Sequence, residues 1–414
     1  MSVPLEEPKK RYGCCVAGGG PAGMMLGFLL ARAGVEVLVL EKHADFLRDF
    51  RGDTIHPSTL EVLFELGILK DFLALPHQEV LRFSAQVGEI QVPFADFTHL
   101  PTHCKFLAFM PQWDFLDFLA ACGKRYPAFH LWMRAEAVGL IEEGGRVVGV
   151  EVVTPEGKRD VRADLVVGAD GRHSTVRERA ALPVREFGAP MDVLWFGISR
   201  TPSDPAASMG RLDPGRIFVL INRDRYWQCG YVIPKGTLES LRAAGIEAFR
   251  ESVAQAAPWA RDRVGEIRSW DDVKLLTVQV DRLTRWYRPG LLCVGDAAHA
   301  MSPVGGVGIN LALQDAVAAA NLLSAPLAEG RLGVSDLAKV QKRREWPTRA
   351  TQWFQLQVQQ RIIAPVLGRS TSLKLPLIVR LLARYPILRR IPARLIGVGV
   401  RPEHVRSPEA RRAA

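Results

Sequence analysis

Hydrophobic and polar positions change period several times along this chain, and the changeovers mark its elements. Cys14 to Ala17 is a short apolar run, Met24 to Ala33 is apolar at helical spacing, and Val35 to Leu40 is apolar throughout. A short apolar run bounded by turn formers reads as a buried strand, and the longer run as a helix stopped by Gly34. A βαβ unit is therefore expected at the start of the chain. Ala163 to Val167 and Leu291 to Val294 are two further buried strands, each running into a glycine-containing loop. Pro57 opens a helix with Leu60, Leu63, Phe64 and Leu66 on one face, and Pro111 precedes another that reaches Leu119.

Elsewhere the period shortens to two. From Glu79 to about Phe109 short alternating segments with prolines, such as Ile90-Gln91-Val92-Pro93-Phe94, predict strands of a second sheet inserted into the first unit. Val138 to Val153 reads as two strands around the turn Glu143-Gly144-Gly145-Arg146. Between Met191 and Leu283 the strands expected are Asp192–Ile198, Ile217–Ile221, Tyr226–Ile233 and Lys274–Gln279, with one helix over Leu238–Ala256. Beyond Ala325 the chain reads as helical, with Trp346 to Ile363 rich in glutamine.

Composition narrows the class. With 414 residues, 48% of them hydrophobic, a sizeable core is expected and a disordered chain is excluded. No run of about 18 uncharged apolar residues occurs, and Met1 to Tyr12 is charged, so neither a signal peptide nor a spanning helix is indicated and a cytoplasmic location is expected. Six cysteines without C-x-x-C spacing read as core residues in a reducing compartment, with no metal site.

The net charge of +10 is uneven. From Arg331 onward 18 Lys and Arg face 4 Asp and Glu, a net of +14, while the preceding 330 residues hold 36 against 40, a net of −4. Basicity confined to the tail is no argument for nucleic-acid binding. In the segment Leu373 to Val400, Leu377, Ile378, Leu381, Leu382 and Tyr385 share one helical face, with Arg380 and Arg384 on another. Such a segment either rests peripherally on an anionic membrane or docks on the protein's own body.

The chemistry sits in the loops. Gly18-Gly19-Gly20-Pro21-Ala22-Gly23 is a G-x-G-x-x-G turn between the first strand and its helix, and Glu41 ends the second strand, 23 residues beyond Gly18. This is the dinucleotide fingerprint: Gly18 for the tight turn, Gly20 for close approach of a pyrophosphate, Gly23 for helix–strand packing, Glu41 for the ribose hydroxyls. Arg51 either neutralises that pyrophosphate or is a solvated loop residue. Gln112 is either a polar contact in the first turn of its helix or a surface glutamine. Asp170, Gly171 and Ser174 read as turn and cap residues.

After the strand Leu291 to Val294 comes Gly295-Asp296-Ala297-Ala298-His299, then Pro303, Gly305, Gly306, Gly308, Ile309 and Asn310 at a helix start. Asp296 can accept hydrogen bonds from a sugar-like chain. The glycines let backbone N–H groups at the positive helix end approach an electron-rich ring.

The three motifs together, Gly18–Gly23 with Glu41, Gly168-Ala169-Asp170-Gly171, and Gly295-Asp296 through Asn310, resemble those of the single-component FAD-dependent aromatic hydroxylases, the p-hydroxybenzoate hydroxylase-like monooxygenases. The resemblance spans about residues 12 to 345. It implies an α/β (α+β) fold: a glutathione-reductase-type FAD-binding Rossmann domain (1–78, 106–188, 286–345), an inserted β-sheet substrate domain (79–105, 189–285) and a helical C-terminal segment (346–414). It also implies non-covalent FAD bound by Gly18, Gly20, Pro21, Ala22, Gly23, Glu41, Arg51, Gln112, Asp170, Gly171, Asp296, Pro303, Gly306, Gly308, Ile309 and Asn310. Arg177 belongs with Asp170 to the second fingerprint, which serves FAD and NAD(P)H.

The implied reaction is hydroxylation of an electron-rich aromatic with NADH or NADPH and O₂ through a C4a-hydroperoxyflavin. No tyrosine–arginine set for a simple hydroxybenzoate stands on the substrate strands; Phe196, Arg225 and Trp227 occupy the nearest positions, which suggests a bulkier, polyketide-like substrate. Alternatives are a flavin reductase or dehydrogenase of an apolar isoprenoid-like chain and a non-catalytic flavoprotein. A flavin halogenase is disfavoured, because Trp195-Phe196-Gly197-Ile198-Ser199 lacks the second tryptophan and the proline of that motif.

Overall fold

The computed structural model describes residues 9–47, 54–88, 90–205, 208–368 and 377–410. The first apolar run is strand β1 (Tyr12–Ala17), followed by helix α1 (Pro21–Arg32) and strand β2 (Val37–Glu41). β1 pairs in parallel with β2 on one side and with Gly157–Gly168 on the other. Every side chain of β2 is buried. A strand covered on both faces has no polar side to present, which explains its continuous hydrophobicity.

The sheet runs Tyr287–Arg288, Leu291–Cys293, Gly157–Gly168, β1, β2, Phe129–Met133, and Glu136–Glu143 with Arg146–Thr154 extends it as an antiparallel ribbon. β1 has its neighbours on opposite sides, so the chain leaves it at a topological switch point. The loops after β1, β2, Gly157–Gly168 and Leu291–Cys293 therefore open at one edge, where α/β sheets bind their ligands.

The second sheet has seven strands, in the order Lys274–Leu276, β3 (Met191–Ser199), β5 (Tyr226–Pro234), β4 (Arg216–Asn222), Met209–Asp213, Arg82–Val87, Ile90–Asp96. Residues 82–96 thus join strands more than a hundred residues later. Val80 and Leu107–Phe109, expected in this sheet, pair instead with each other, and Leu107–Phe109 also pairs with Thr54–Ile55. Two further details differ from expectation. Met209–Asp213 is an extra strand, and the helix expected over Leu238–Ala256 is broken at Gly245, whose φ of 90° no helix accommodates.

Both faces of β3, β4 and β5 are apolar. Leu194, Phe196, Phe218, Leu220 and Tyr231 lie on one face beneath the helix Ile246–Ala256, through Phe249 and Val253. Met191, Val193, Trp195 and Val219 alternate onto the other face, against Val304, Val307 and Ile363.

The chain continues as α2 (Gly308–Ala328) and α3 (Val334–Val358), then a π-helical turn, Gln359–Ile363. α3 crosses residues 345 and 346 without a break, so the expected domain limit falls inside one helix. Among the described residues, only the stretch Val304–Ala328 has the length and apolarity to cross a membrane, and 72% of its apolar window is buried here as a core helix. α4 (Leu377–Arg384) and α5 (Arg390–Gly397) pack on Ile90–Asp96. Beyond them the chain runs back over the first unit, where Arg32 donates to the Ser407 carbonyl at 3.0 Å. All six cysteines are buried and unpaired.

Candidate active site

Four loops meet at the shared sheet edge, and the glycines show why. Gly18 has φ 107°, and a Cβ built on it would stand 2.4 Å from the Ala169 carbonyl oxygen; one on Gly23 would stand 1.9 Å from the Gly18 oxygen. Both positions are closed by backbone. Gly20 differs, since a Cβ there meets nothing within 4 Å. The protein leaves space at Gly20 where the fingerprint places a pyrophosphate. Pro21 opens α1 as its first residue, and Ala22 packs against Gly295 of the late loop, a built Cβ there lying 3.2 Å from the Ala22 Cβ.

Glu41 is 7% exposed at the end of β2 and accepts from the backbone N–H groups of Gly19 at 3.2 Å and His43 at 3.0 Å. Its carboxylate therefore stands beside the glycine loop. Gln112 is buried in the first turn of Gln112–Gly123, not on the surface. Arg51 lies outside the described residues.

The Gly168–Gly171 loop is built around a buried carboxylate. Asp170 accepts from Ser174 Oγ at 2.5 Å and from the Val176 N–H at 3.1 Å. Burial pushes its carboxyl above the ordinary range, against the pull of those hydrogen bonds. Gly171, with φ 84°, has open space around it. Two arginines then join this loop to the late motif. Arg172 donates to Asp296 at 3.4 Å, and Arg177 reaches Asp281 at 3.3 Å, whose carboxylate also accepts from the Ala300 N–H at 3.1 Å.

In the late loop Asp296 lies on a 3-10 turn with its side chain 30% exposed. Gly305 and Gly306 have φ of 78° and 63°, and a Cβ on Gly306 would stand 2.5 Å from Thr54 Oγ1. Asn310 is clamped: its Oδ1 accepts from the His56 N–H at 2.9 Å and Thr59 Oγ1 at 2.8 Å. α2 begins at Gly308 with no side-chain cap, so the first-turn N–H groups of Gly308, Ile309 and Asn310 are offered beyond Pro303. An uncapped helix start, an open glycine and a carboxylate at the strand end fit FAD.

Three expectations are corrected. Phe196 and Trp227 are buried on the face of the second sheet turned away from this loop. Trp227 Nε1 donates to Asp204 at 2.9 Å and its ring packs on Trp259. Arg225 is exposed in the turn between β4 and β5. The alternation places Trp195 and Val219 on the facing side instead.

Other participants escaped the sequence reading. His56 is fully buried; its Nδ1 lies 2.7 Å from the Ile396 carbonyl, so Nδ1 carries the proton, and Nε2, near Gly306, is an acceptor without a partner among the described residues. Burial pulls this imidazole down to about 4, although the Ile396 contact favours the proton. Gln352, Gln355 and Gln359 of the tail also reach the late loop. Their spacing of three and four residues was the available signal.

Comparison with known proteins agrees with this geometry. Residues 11–353 match the family described as FAD binding domain. The chain is 34% identical over 397 residues to 6-methylpretetramide 4-monooxygenase of Streptomyces rimosus, covering 95% of this chain and 94% of the relative. With 12-dehydrotetracycline 5-monooxygenase/anhydrotetracycline 6-monooxygenase of Streptomyces rimosus subsp. rimosus it shares 29% over 317 residues, 74% of this chain but 61% of that longer protein. The solved structure of the OxyS anhydrotetracycline hydroxylase from Streptomyces rimosus superposes with a TM-score of 0.76 at 25% identity, over 95% of this chain and 77% of that one. Together with the convergence of four loops on one sheet edge, these similarities place the chain in the FAD-binding-domain family, as an FAD-dependent monooxygenase of the p-hydroxybenzoate hydroxylase-like type.

Proposed function

We propose that this monooxygenase hydroxylates a polycyclic, polyketide-like phenol with NAD(P)H and O₂. The observation that carries the substrate class is the face of β3 and β4 opposite the late loop, where Val193, Trp195 and Val219 present apolar surface toward Val304 and Val307. A flat, largely apolar ring system buries well there, and an ionised benzoate would lose its hydration without a cation in return. The name of the relative that matches nearly end to end points the same way.

In this reading the Gly18–Gly23 loop takes the diphosphate at Gly20, with Gly18 and Gly23 shaping the turn, while Glu41 holds the adenosine ribose and Asp296 the ribityl hydroxyls. Bound FAD supplies the hydride acceptance and oxygen activation that no side chain can provide. The N–H groups of Gly308, Ile309 and Asn310 stabilise negative charge at the ring edge, as donors fixed before the charge arrives. The substrate sheet closes over the late loop and excludes water, which keeps oxygen transfer ahead of peroxide release. The domain limits follow, with residues 82–96 and 191–283 as the substrate unit.

The test is NAD(P)H oxidation by the FAD-loaded protein, with and without tetracyclic phenols, under ¹⁸O₂. Ligand-stimulated oxidation and one ¹⁸O per product are expected. Oxidation that no phenol stimulates, or a product without label, refutes the hydroxylase reading and favours a reductase.

A second reading concerns α4 and α5. Residues 346 to 402 contain ten Lys and Arg and no Asp or Glu. Leu377, Ile387 and Ile391 are 65%, 65% and 60% exposed, while Ala393 and Ile396 dock inward on Phe97 and Leu107. We propose that the outer face rests on an anionic lipid surface. Co-sedimentation with phosphatidylglycerol vesicles, lost in Ile387→Ser/Ile391→Ser, is expected; equal sedimentation of wild type with and without vesicles removes the idea.

A further inference from the structure

α3 carries its polar side inward. Arg344, Thr348, Gln352, Gln355 and Gln359 fall three or four residues apart and none is more than 1% exposed, whereas Trp346 and Trp353 on the opposite side are 59% and 64% exposed. This inverts ordinary helix amphipathicity. The buried amides meet the late loop residue by residue. Gln352 Nε2 donates to the carbonyls of Asp281 at 2.6 Å and Ala300 at 3.1 Å. Gln355 Nε2 donates to the carbonyls of Ser302 and Val304, both at 2.9 Å, and Gln359 Nε2 to Ser302 Oγ at 2.7 Å.

The carbonyl acceptors fix the orientation of the Gln352 and Gln355 amides, because turned over each would set oxygen against oxygen, whereas the Ser302 hydroxyl can meet either end of the Gln359 amide. In that orientation Oε1 of Gln355 is buried and, among the described residues, has no hydrogen-bond partner. A fold selected for stability alone has no reason to keep an unpaired buried oxygen. Gln359 also opens the π-helical turn Gln359–Ile363, a local departure frequent at functional sites.

We infer that Gln352, Gln355 and Gln359 are positioning residues for the flavin. Turning the Ala300, Ser302 and Val304 carbonyls toward α3 leaves Pro303 and the first-turn N–H groups of α2 in one arrangement, ready for a ring that gains negative charge. The amide N–H groups of the row bond Asp281 and the late loop, the flavin end of the site, so the row sets flavin reactivity rather than overall affinity. The inference rests on the FAD assignment and is independent of the substrate.

The test compares Gln355→Met and Gln359→Met with Gln360→Met, an exposed control. In apo protein, amide exchange over residues 300–310 should quicken at least tenfold in the first two, with thermal unfolding close to wild type. In FAD-loaded protein their flavin potential should become more negative, and the control should match wild type in every measurement. Gln359→Met leaves the Ser302 and Val304 carbonyls paired, and it carries the test if Gln355→Met does not fold. Unchanged exchange and potential overturn the inference. A general loss of protection with an unchanged potential overturns it too, by making the row structural only.

Discussion

Arg344 Nε and Asp315 Oδ1 are joined at 2.9 Å where the two side chains are 1% and 0% exposed. Asp315 Oδ2 also meets His299 Nε2 at 2.5 Å and the Gly295 N–H at 3.2 Å, while Arg344 reaches Glu403 at 3.2 Å. One buried cluster therefore ties the turn bearing Asp296 to α2, α3 and the C-terminal stretch.

Breaking that pair should be costly. Burial raises the Asp315 carboxyl, but the charges and hydrogen bonds of His299 and Arg344 more than reverse this and leave it below its ordinary value. Asp315→Asn removes one of the two carboxylates on the buried guanidinium and leaves Glu403 as the other, so an expected loss of about 3 kcal/mol, the low end for a broken buried pair, follows, read by urea unfolding at pH 7. Because the folded carboxyl is depressed, its contribution persists above the unfolded value of about 4 and disappears as pH falls further. The wild type should lose stability below that pH more steeply than the variant.

His56 gives a second pH dependence at a higher range. Its folded value of about 4 lies below the ordinary 6.5, so below that pH the unfolded chain binds a proton that the folded chain refuses. Stability should drop by about 2 kcal/mol between pH 7.5 and pH 5. His56→Gln should flatten that stretch of the profile in denaturant titrations, and an equal slope in both proteins would show that His56 titrates normally.

Gly20 and Gly23 should fail differently. Gly23→Ala drives a methyl into the Gly18 carbonyl and should prevent a stable first unit. Gly20→Ala meets no protein atom, so apo unfolding should be unchanged while FAD binds at least tenfold more weakly by fluorescence titration. Normal FAD affinity in Gly20→Ala would remove the pyrophosphate from this loop.

Trp195 should control substrate choice. Its ring lies across Gly230 of the neighbouring strand, where a Cβ would come within 3.0 Å of two ring carbons. Gly230→Ala should tilt the indole and change KM for large phenols severalfold, with FAD affinity unchanged. An unaltered KM alongside wild-type folding would place the substrate elsewhere.

The glutamine row and the buried ion pair show where reading by pattern stops. A polar residue at helical spacing is ordinarily solvent-facing, and nothing local to α3 tells that Gln355 finds two carbonyls more than fifty residues away. Asp315 and Arg344 are also separated by a whole helix turn-around in the chain. Period-two alternation puts Trp195 and Phe196 on opposite faces of β3. It could not say which faces the cofactor, because helices and the late loop make both faces apolar.

The sequence by itself determined the cofactor unit, since each requirement there is local: a glycine where φ is positive or a Cβ would strike backbone, an acid at a strand end, an uncapped helix start after a glycine loop. Tertiary structure alone decided how those loops are held and what faces them. The bonds from Gln355, Arg344 and His56 form only after distant segments pack, because hydrogen-bond direction and burial depend on the completed fold rather than on neighbours in the chain.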